Sequence, residues 1–334
     1  MQRCNLMQRC NLTSRIIVFA VLTLSLASPS QAAAEALFVG YSDWPGWVAW
    51  EVAVEKDWFA EAGVDVQFEW FDYAASMEAF AAGQLDAVTM TNGDALVTGS
   101  TGAQSVMIII GDYSNGNDMV VAAPGIKSVS ELKGKRVGVE IGFVSHLLLL
   151  DALESVGLTE ADVELVNVPT NETPQVLASR DVDAIVAWQP NSGQSLSRVP
   201  GSAAVYTSGD QPGLIYDVLA VSHRSLYANR EEWSKVVDVW YRVVDYILDP
   251  ATVDDALSIM SARVGLSPEE YAPLLAGTRL LRREEAKGLY QETEGFDSLH
   301  GSTSISNDFN LRYEVYRDPQ DLKAYIDSSF TLGK

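Results

Sequence analysis

Cysteine is almost absent from this chain: of 334 residues only Cys4 and Cys10 carry a thiol. Both precede an apolar run, so nothing after residue 10 can form a disulfide, a thiolate metal site or a cysteine nucleophile. No cysteine sits where a lipoprotein leader would need one. Histidine is scarce as well, with three copies, which argues against nitrogen or sulfur metal sites and leaves only a carboxylate calcium site open. Positive charge is short: 23 Lys and Arg face 45 Asp and Glu, a formal charge of −22. A chain this acidic repels nucleic acid and anionic lipid. Enzyme signatures are missing too, with no His-Glu-x-x-His, phosphate-binding Gly-rich loop or EF-hand loop. The nearest approach to a Gly-x-Ser-x-Gly elbow is Gly40-Tyr41-Ser42-Asp43-Trp44, where Trp44 replaces the last glycine.

What is present begins with a leader. Arg3, Arg9 and Arg15 precede the apolar run 16–27, and Ser-Pro-Ser-Gln-Ala-Ala-Ala follows, which reads as a secretory signal peptide over 1–34 cleaved near Ala32 or Ala34. A membrane anchor would need about 20 apolar residues, more than this run offers. Residues 1–6 and 7–12 are the same hexapeptide, so either Met1 or Met7 serves as the start. The remainder, in a chain 47 % hydrophobic and 9 % aromatic, is globular and large enough for one big core or two lobes.

Short apolar runs alternate with helical patterns, the mark of βαβ units. Strands are expected at 64–71, 87–91 and 106–111 with helices at 76–83 and 94–102, then a polar turn over 112–118. The alternation restarts with strands at 136–140, 163–168 and 184–188 and helices at 143–156 and 174–180. Beyond residue 216 helices dominate, at 231–248, 253–264, 268–275 and 284–290. Trp233, Val237, Trp240, Val244 and Ile247 recur at helical spacing, and that face needs the first lobe to lie on. The expected fold class is α/β with two lobes, each a mostly parallel sheet flanked by helices. Lobe 1 takes 35–118 plus 218–334 and lobe 2 takes 119–217.

In such sheets ligands sit at the carboxyl ends of strands, so the loops opening near Asp43, Asn92, Asp112, Glu140, Asn171 and Gln189 form the candidate wall. Asp43 lies in a strand-to-helix turn between Ser42 and Trp44-Pro45-Gly46-Trp47. Acids at helix starts commonly cap them. Pro45, however, fits best at the first helical position and makes Trp44 the cap, which leaves Asp43 outside and free for a ligand. The same spacing recurs at Glu172-Thr173-Pro174, and both acids stand between a capping and a ligand role. Asn92 can cap the next helix and Asp94 can sit in its first turn, so both are second choices as ligands. Trp50 and Trp58 share a core-facing stripe, Trp44 falls outside it and is the better ligand contact, and Trp47 is shared between roles. Trp188 could stack on a ligand or pack in the core, and Asp217 could reach the cleft or pair with the backbone. Between residues 37 and 126 thirteen acids accompany a single base, Lys56, which sits about 13 Å along the helix from Trp47. This segment of the first lobe offers no obvious cation to an anionic ligand.

Several segments together resemble the nitrate/sulfonate/taurine type of periplasmic solute-binding proteins of ABC transporters. They are the leader, the Trp-Pro-Gly-Trp helix start, Ala-Ala-Gly-Gln-Leu-Asp-Ala at 81–87, Ser-Glu-Leu-Lys-Gly-Lys-Arg-Val-Gly-Val at 130–139 and Asp-Val-Asp-Ala-Ile-Val-Ala-Trp at 181–188. Residues 41–50, 90–94, 112–118 and 188–191 resemble more narrowly the branch associated with urea carboxylase and guanidine degradation. The resemblance implies a type II periplasmic binding protein that closes two lobes on a small-molecule ligand and docks on a membrane ABC permease. It also implies a monomer without cofactor, catalysis or nucleic-acid binding. It places Glu140 and His146 at the loop where anion-binding relatives open a second-lobe helix on their ligand. With Asp43, Glu172 and Trp44 as acids and indole, guanidinium is the expected ligand, since a planar cation suits carboxylate pairing and indole stacking. Urea, or an anion such as taurine, a sulfonate or nitrate, is the alternative. A pyrimidine-synthesis-like enzyme is a more distant one.

Overall fold

A computed structural model describes residues 36–333 of the chain. The expected leader therefore lies outside the described residues. Along the chain, β1 (Leu37–Tyr41) leads into a broken helical stretch, α1 (Pro45–Val48), α2 (Trp50–Glu55) and α3 (Trp58–Ala62). Then come β2 (Val66–Trp70), α4 (Tyr73–Ala81), β3 (Ala87–Thr91), α5 (Asn92–Ser100) and β4 (Ser105–Ser114). The second series is β5 (Met119–Ala122), β6 (Arg136–Val139), α6 (Val144–Ser155), β7 (Glu164–Asn167), α7 (Thr173–Ser179), β8 (Ala184–Ala187), α8 (Asn191–Arg198) and β9 (Ala203–Thr207). The chain returns through β10 (Tyr216–Ser222) to α9 (His223–Ala228), α10 (Arg230–Ile247), α11 (Val253–Arg263) and α12 (Pro268–Ala276). It ends with β11 (Thr278–Leu280), α13 (Arg283–Leu289) and α14 (Leu299–Arg312).

These strands form two sheets, ordered β11-β4-β10-β3-β1-β2 and β7-β6-β8-β5-β9. Helices flank both, so the architecture is the expected two-lobed α/β one. The sheets are mixed where mostly parallel ones were expected. The β1/β2/β3 and β6/β7/β8 neighbours run parallel, while β5 and β10 pair antiparallel with both of their neighbours. The cause is connectivity: β5 is the first strand after the chain crosses into the second sheet and β10 the first after it returns to the first sheet, so each runs against the βαβ direction. β10 carries Asp217 within the first sheet.

Two local differences from the sequence expectation bear on the site. β4 runs through Asp112 to Ser114, because β10 and β11 pair with those polar residues, and Asp112 is thereby buried in a strand instead of starting a turn. The helical stretch after Pro45 is interrupted at Ala49 and again at Asp57, where φ is +54°, and Trp50 and Trp58 are buried while Val54 between them is exposed. α10 buries Trp233, Val237, Trp240, Val244 and Ile247 as its spacing requires, and Trp240 packs 4.5 Å from Trp50 across the helix layer.

Candidate ligand-binding cleft

The strand ends of the two sheets face each other across a cavity of about 50 Å3, room for about four water-sized groups. Ser42, Asp43, Asp72 and Tyr73 line it from the first lobe, and Glu140, Thr170, Asn171, Trp188 and Asn191 from the second. No Lys, Arg or His is among its lining residues.

Local sequence explains how Asp43 reaches it. Pro45 occupies the first turn of α1, Trp44 takes the cap position with φ −57° and ψ 130°, and no side chain caps the helix. Asp43 is left one residue outside. Its Oδ1 accepts from Trp188 Nε1 at 3.1 Å and its Oδ2 from Asn191 Nδ2 at 2.8 Å, so it joins the lobes through neutral donors. Burial raises its pKa above the ordinary carboxylate value, opposed by those two hydrogen bonds.

Two further acids reach across in the same way. Asp72 accepts from Asn171 Nδ2 at 3.1 Å. Asp94 accepts from Tyr73 OH at 2.6 Å and from the Val144 backbone N–H at 3.2 Å, which supplies α6 with an acceptor that its own cap residue, Phe143, lacks. Burial pushes the Asp94 carboxyl up to about 6. Glu140, on the second lobe, accepts from Thr170 Oγ1 at 3.1 Å. Its pKa rises to about 7, through burial first and then through the negative charges of Asp94, Asp72 and Asp43. The cleft is thus a field of acids compensated only by neutral groups.

Other expected contacts lie elsewhere. Glu172 is exposed and outside the cavity lining: a 3-10 turn over Thr170–Glu172 advances the chain, so Thr170 faces the cleft and Glu172 faces solvent. Trp44 is buried and donates Nε1 to Asp112 Oδ1 at 3.0 Å, and Trp47 stacks on Tyr73 at 5.3 Å. Neither indole lines the cavity; Trp188 does, edge-on to Tyr73 at 5.0 Å. Thr91 caps α5 in place of Asn92, whose amide instead ties α5 to Ser302 and Thr303 of α14 and to the Tyr216 N–H. His146 turns into the second lobe, where Nδ1 accepts from Gly142 N–H at 3.3 Å and burial lowers its pKa to about 4. Asp217 is buried on β10 beside Asp112, away from the cleft lining. Asp72, Tyr73, Thr170 and Asn191 are the participants that sequence reading passed over. Asp72-Tyr73 follows a strand end directly, the signal that could have found them.

The sequence profile of the NMT1-like family matches residues 30–261. The chain belongs to that family. It is 30 % identical over 323 residues, 95 % of this chain and 98 % of the other, to a Brucella abortus (strain 2308) protein named as a binding protein. It is also similar to the taurine-binding periplasmic protein of Escherichia coli K12, 26 % identical over 168 residues, 49 % of this chain and 50 % of that one. Among solved structures, the alkanesulfonate-binding protein SsuA of Xanthomonas axonopodis pv. citri, bound to MOPS, superposes with a TM-score of 0.71 at 15 % identity. That match covers 88 % of this chain and 98 % of the other, and it shows a shared fold. This member of the NMT1-like family thus shares the two-sheet architecture of that sulfonate-binding protein. Among the described residues no helix is long and apolar enough to cross a membrane.

Proposed function

We propose that this protein is the ligand-capturing component of an ABC import system, exported to the periplasm, and that its ligand is a small planar organic cation, guanidinium by size. Membership of the NMT1-like family and the named relatives support the transport role. The observation that carries the ligand class is the cavity itself, with Asp43, Asp72 and Glu140 in its wall and no basic side chain. A sulfonate or nitrate would enter against three carboxylates, whereas a cation supplies the charge that their burial demands. Guanidinium can donate to several carboxylate oxygens at once in one plane, and its four heavy atoms match the space. In this reading residues near 118–119 and 216–218 are the crossings about which the lobes close, and ligand bridging Asp43 and Glu140 favours the closed state. At about 1.5 kcal/mol per heavy atom the affinity ceiling is about 6 kcal/mol, a Kd of roughly tens of micromolar.

The test is a thermal-shift panel with low millimolar guanidinium, methylguanidine, urea, taurine and nitrate. A ligand that binds the folded form raises the melting temperature. The expected result is a rise with guanidinium and none with taurine or nitrate. A rise with the anions alone overturns the cation assignment and leaves the transport role standing.

A further inference from the structure

Inside the first lobe a second, smaller compartment of about 10 Å3 is enclosed by β4, β10, α1, α2 and α10. Asp112 and Asp217 face each other in the β4–β10 register and line it, together with Trp47, Trp50 and Trp240. The two residues stand opposite one another across adjacent antiparallel strands. Burial and the facing Asp112 hold Asp217 well above the carboxylate range.

Four polar atoms on these lining residues have no hydrogen-bond partner within the protein: Asp112 Oδ2, Asp217 Oδ2, Trp47 Nε1 and Trp240 Nε1. All four residues are at least nine-tenths buried. The other oxygen of Asp112 is already taken by Trp44. Two of the unpaired atoms are obligate donors and two are carboxyl oxygens, so a guest must both accept and donate. Ammonium donates only and would leave the indoles unpaired; a halide accepts only and would leave the carboxyls unpaired. The volume admits about one water.

The geometry points to a built-in one-water site, in which a single water accepts from the indole N–H groups of Trp47 and Trp240 and donates to the Asp112–Asp217 pair. Its stoichiometry is that of water's own two donors and two acceptors. The compartment shares no lining residue with the cation cleft, so the assignment stands whether or not guanidinium is the cargo. Trp44, which links Asp112 to the Asp43 turn, is the physical connection between the two.

The test is a pair of high-resolution crystal structures of the protein, one grown free of ammonium and guanidinium and one soaked in ammonium chloride. The expected result is one peak within about 2.7–3.2 Å of both indole nitrogens and of the acid pair, the same in both crystals. No peak in the ammonium-free crystal, or a peak that appears only on soaking, overturns the assignment. Trp47→Phe should shift or remove the peak, and an unchanged peak in that variant would contradict the indole's role. If the variant fails to fold, the two wild-type crystals decide.

Discussion

A carboxylate drawn into a narrow cavity needs either a proton or a cation, and Asp43 has been given only an indole N–H and an amide. Those neutral donors orient the group without cancelling its charge. The Asp43→Asn variant keeps size and shape but loses the charge that a cation would meet. Charge-assisted hydrogen bonds contribute about 1.5–3 kcal/mol, so Kd for guanidinium should rise roughly 10- to 100-fold, measured by titration calorimetry. An unchanged Kd would make Asp43 a purely structural clasp. Glu172→Gln serves as the companion control and should leave Kd unchanged, because that side chain faces solvent.

At the level of elements, α1 does the positioning. Gly46 lies so close to Asp112 that an added Cβ would run into Asp112 Oδ2, and it would also sit 2.8 Å from Trp44 Nε1. Gly46→Ala must therefore displace the Trp44–Asp112 pair or the turn. We expect about 1–3 kcal/mol of lost stability and a melting temperature lower by several degrees, read by calorimetric scanning. The Pro45 rule was legible from sequence because it depends on local backbone sterics alone: Trp44 caps and Asp43 stands clear, as Trp44-Pro45 dictates. The same rule misplaced Glu172, since a 3-10 turn ahead of Pro174 is set by the loop's packing and carries no sequence signal of its own. Trp44 and Trp47 were misjudged for a related reason. Helical phase shows which side a residue faces, but Asp112 became a buried strand residue only through its pairing with β10 and β11. The alternation of strands and helices, by contrast, reflects burial periodicity and was readable in the βαβ units, whereas β5, β9, β10 and β11 and helices α8, α9 and α14 were not among the expected elements.

Across the whole molecule the buried acids couple stability to pH. Asp94 is raised to about 6, Glu140 and Asp118 to about 7, and Asp112, facing Asp217, above the ordinary carboxylate range, all chiefly by burial. A carboxyl whose folded pKa exceeds its unfolded value, about 4, binds its proton more tightly when folded. Its contribution is complete below about pH 4 and is lost as pH rises through the folded pKa. His146 acts oppositely: lowered to about 4, it favours folding above its usual 6.5 and costs stability as pH falls towards 4. With four acids against one imidazole, the ligand-free melting temperature should fall between about pH 5 and 8, and guanidinium should flatten that fall by compensating the cleft acids. A ligand-free melting temperature that climbs steadily over this range would contradict the burial assigned to these groups.

The most direct measurement is a calorimetric titration of the protein at pH 8 with guanidinium and, separately, with taurine. Saturable binding of guanidinium at a Kd of roughly tens of micromolar or weaker, with no heat from taurine, is the result that an acid-walled cleft without a basic group predicts. Saturable taurine binding with guanidinium silent would contradict it.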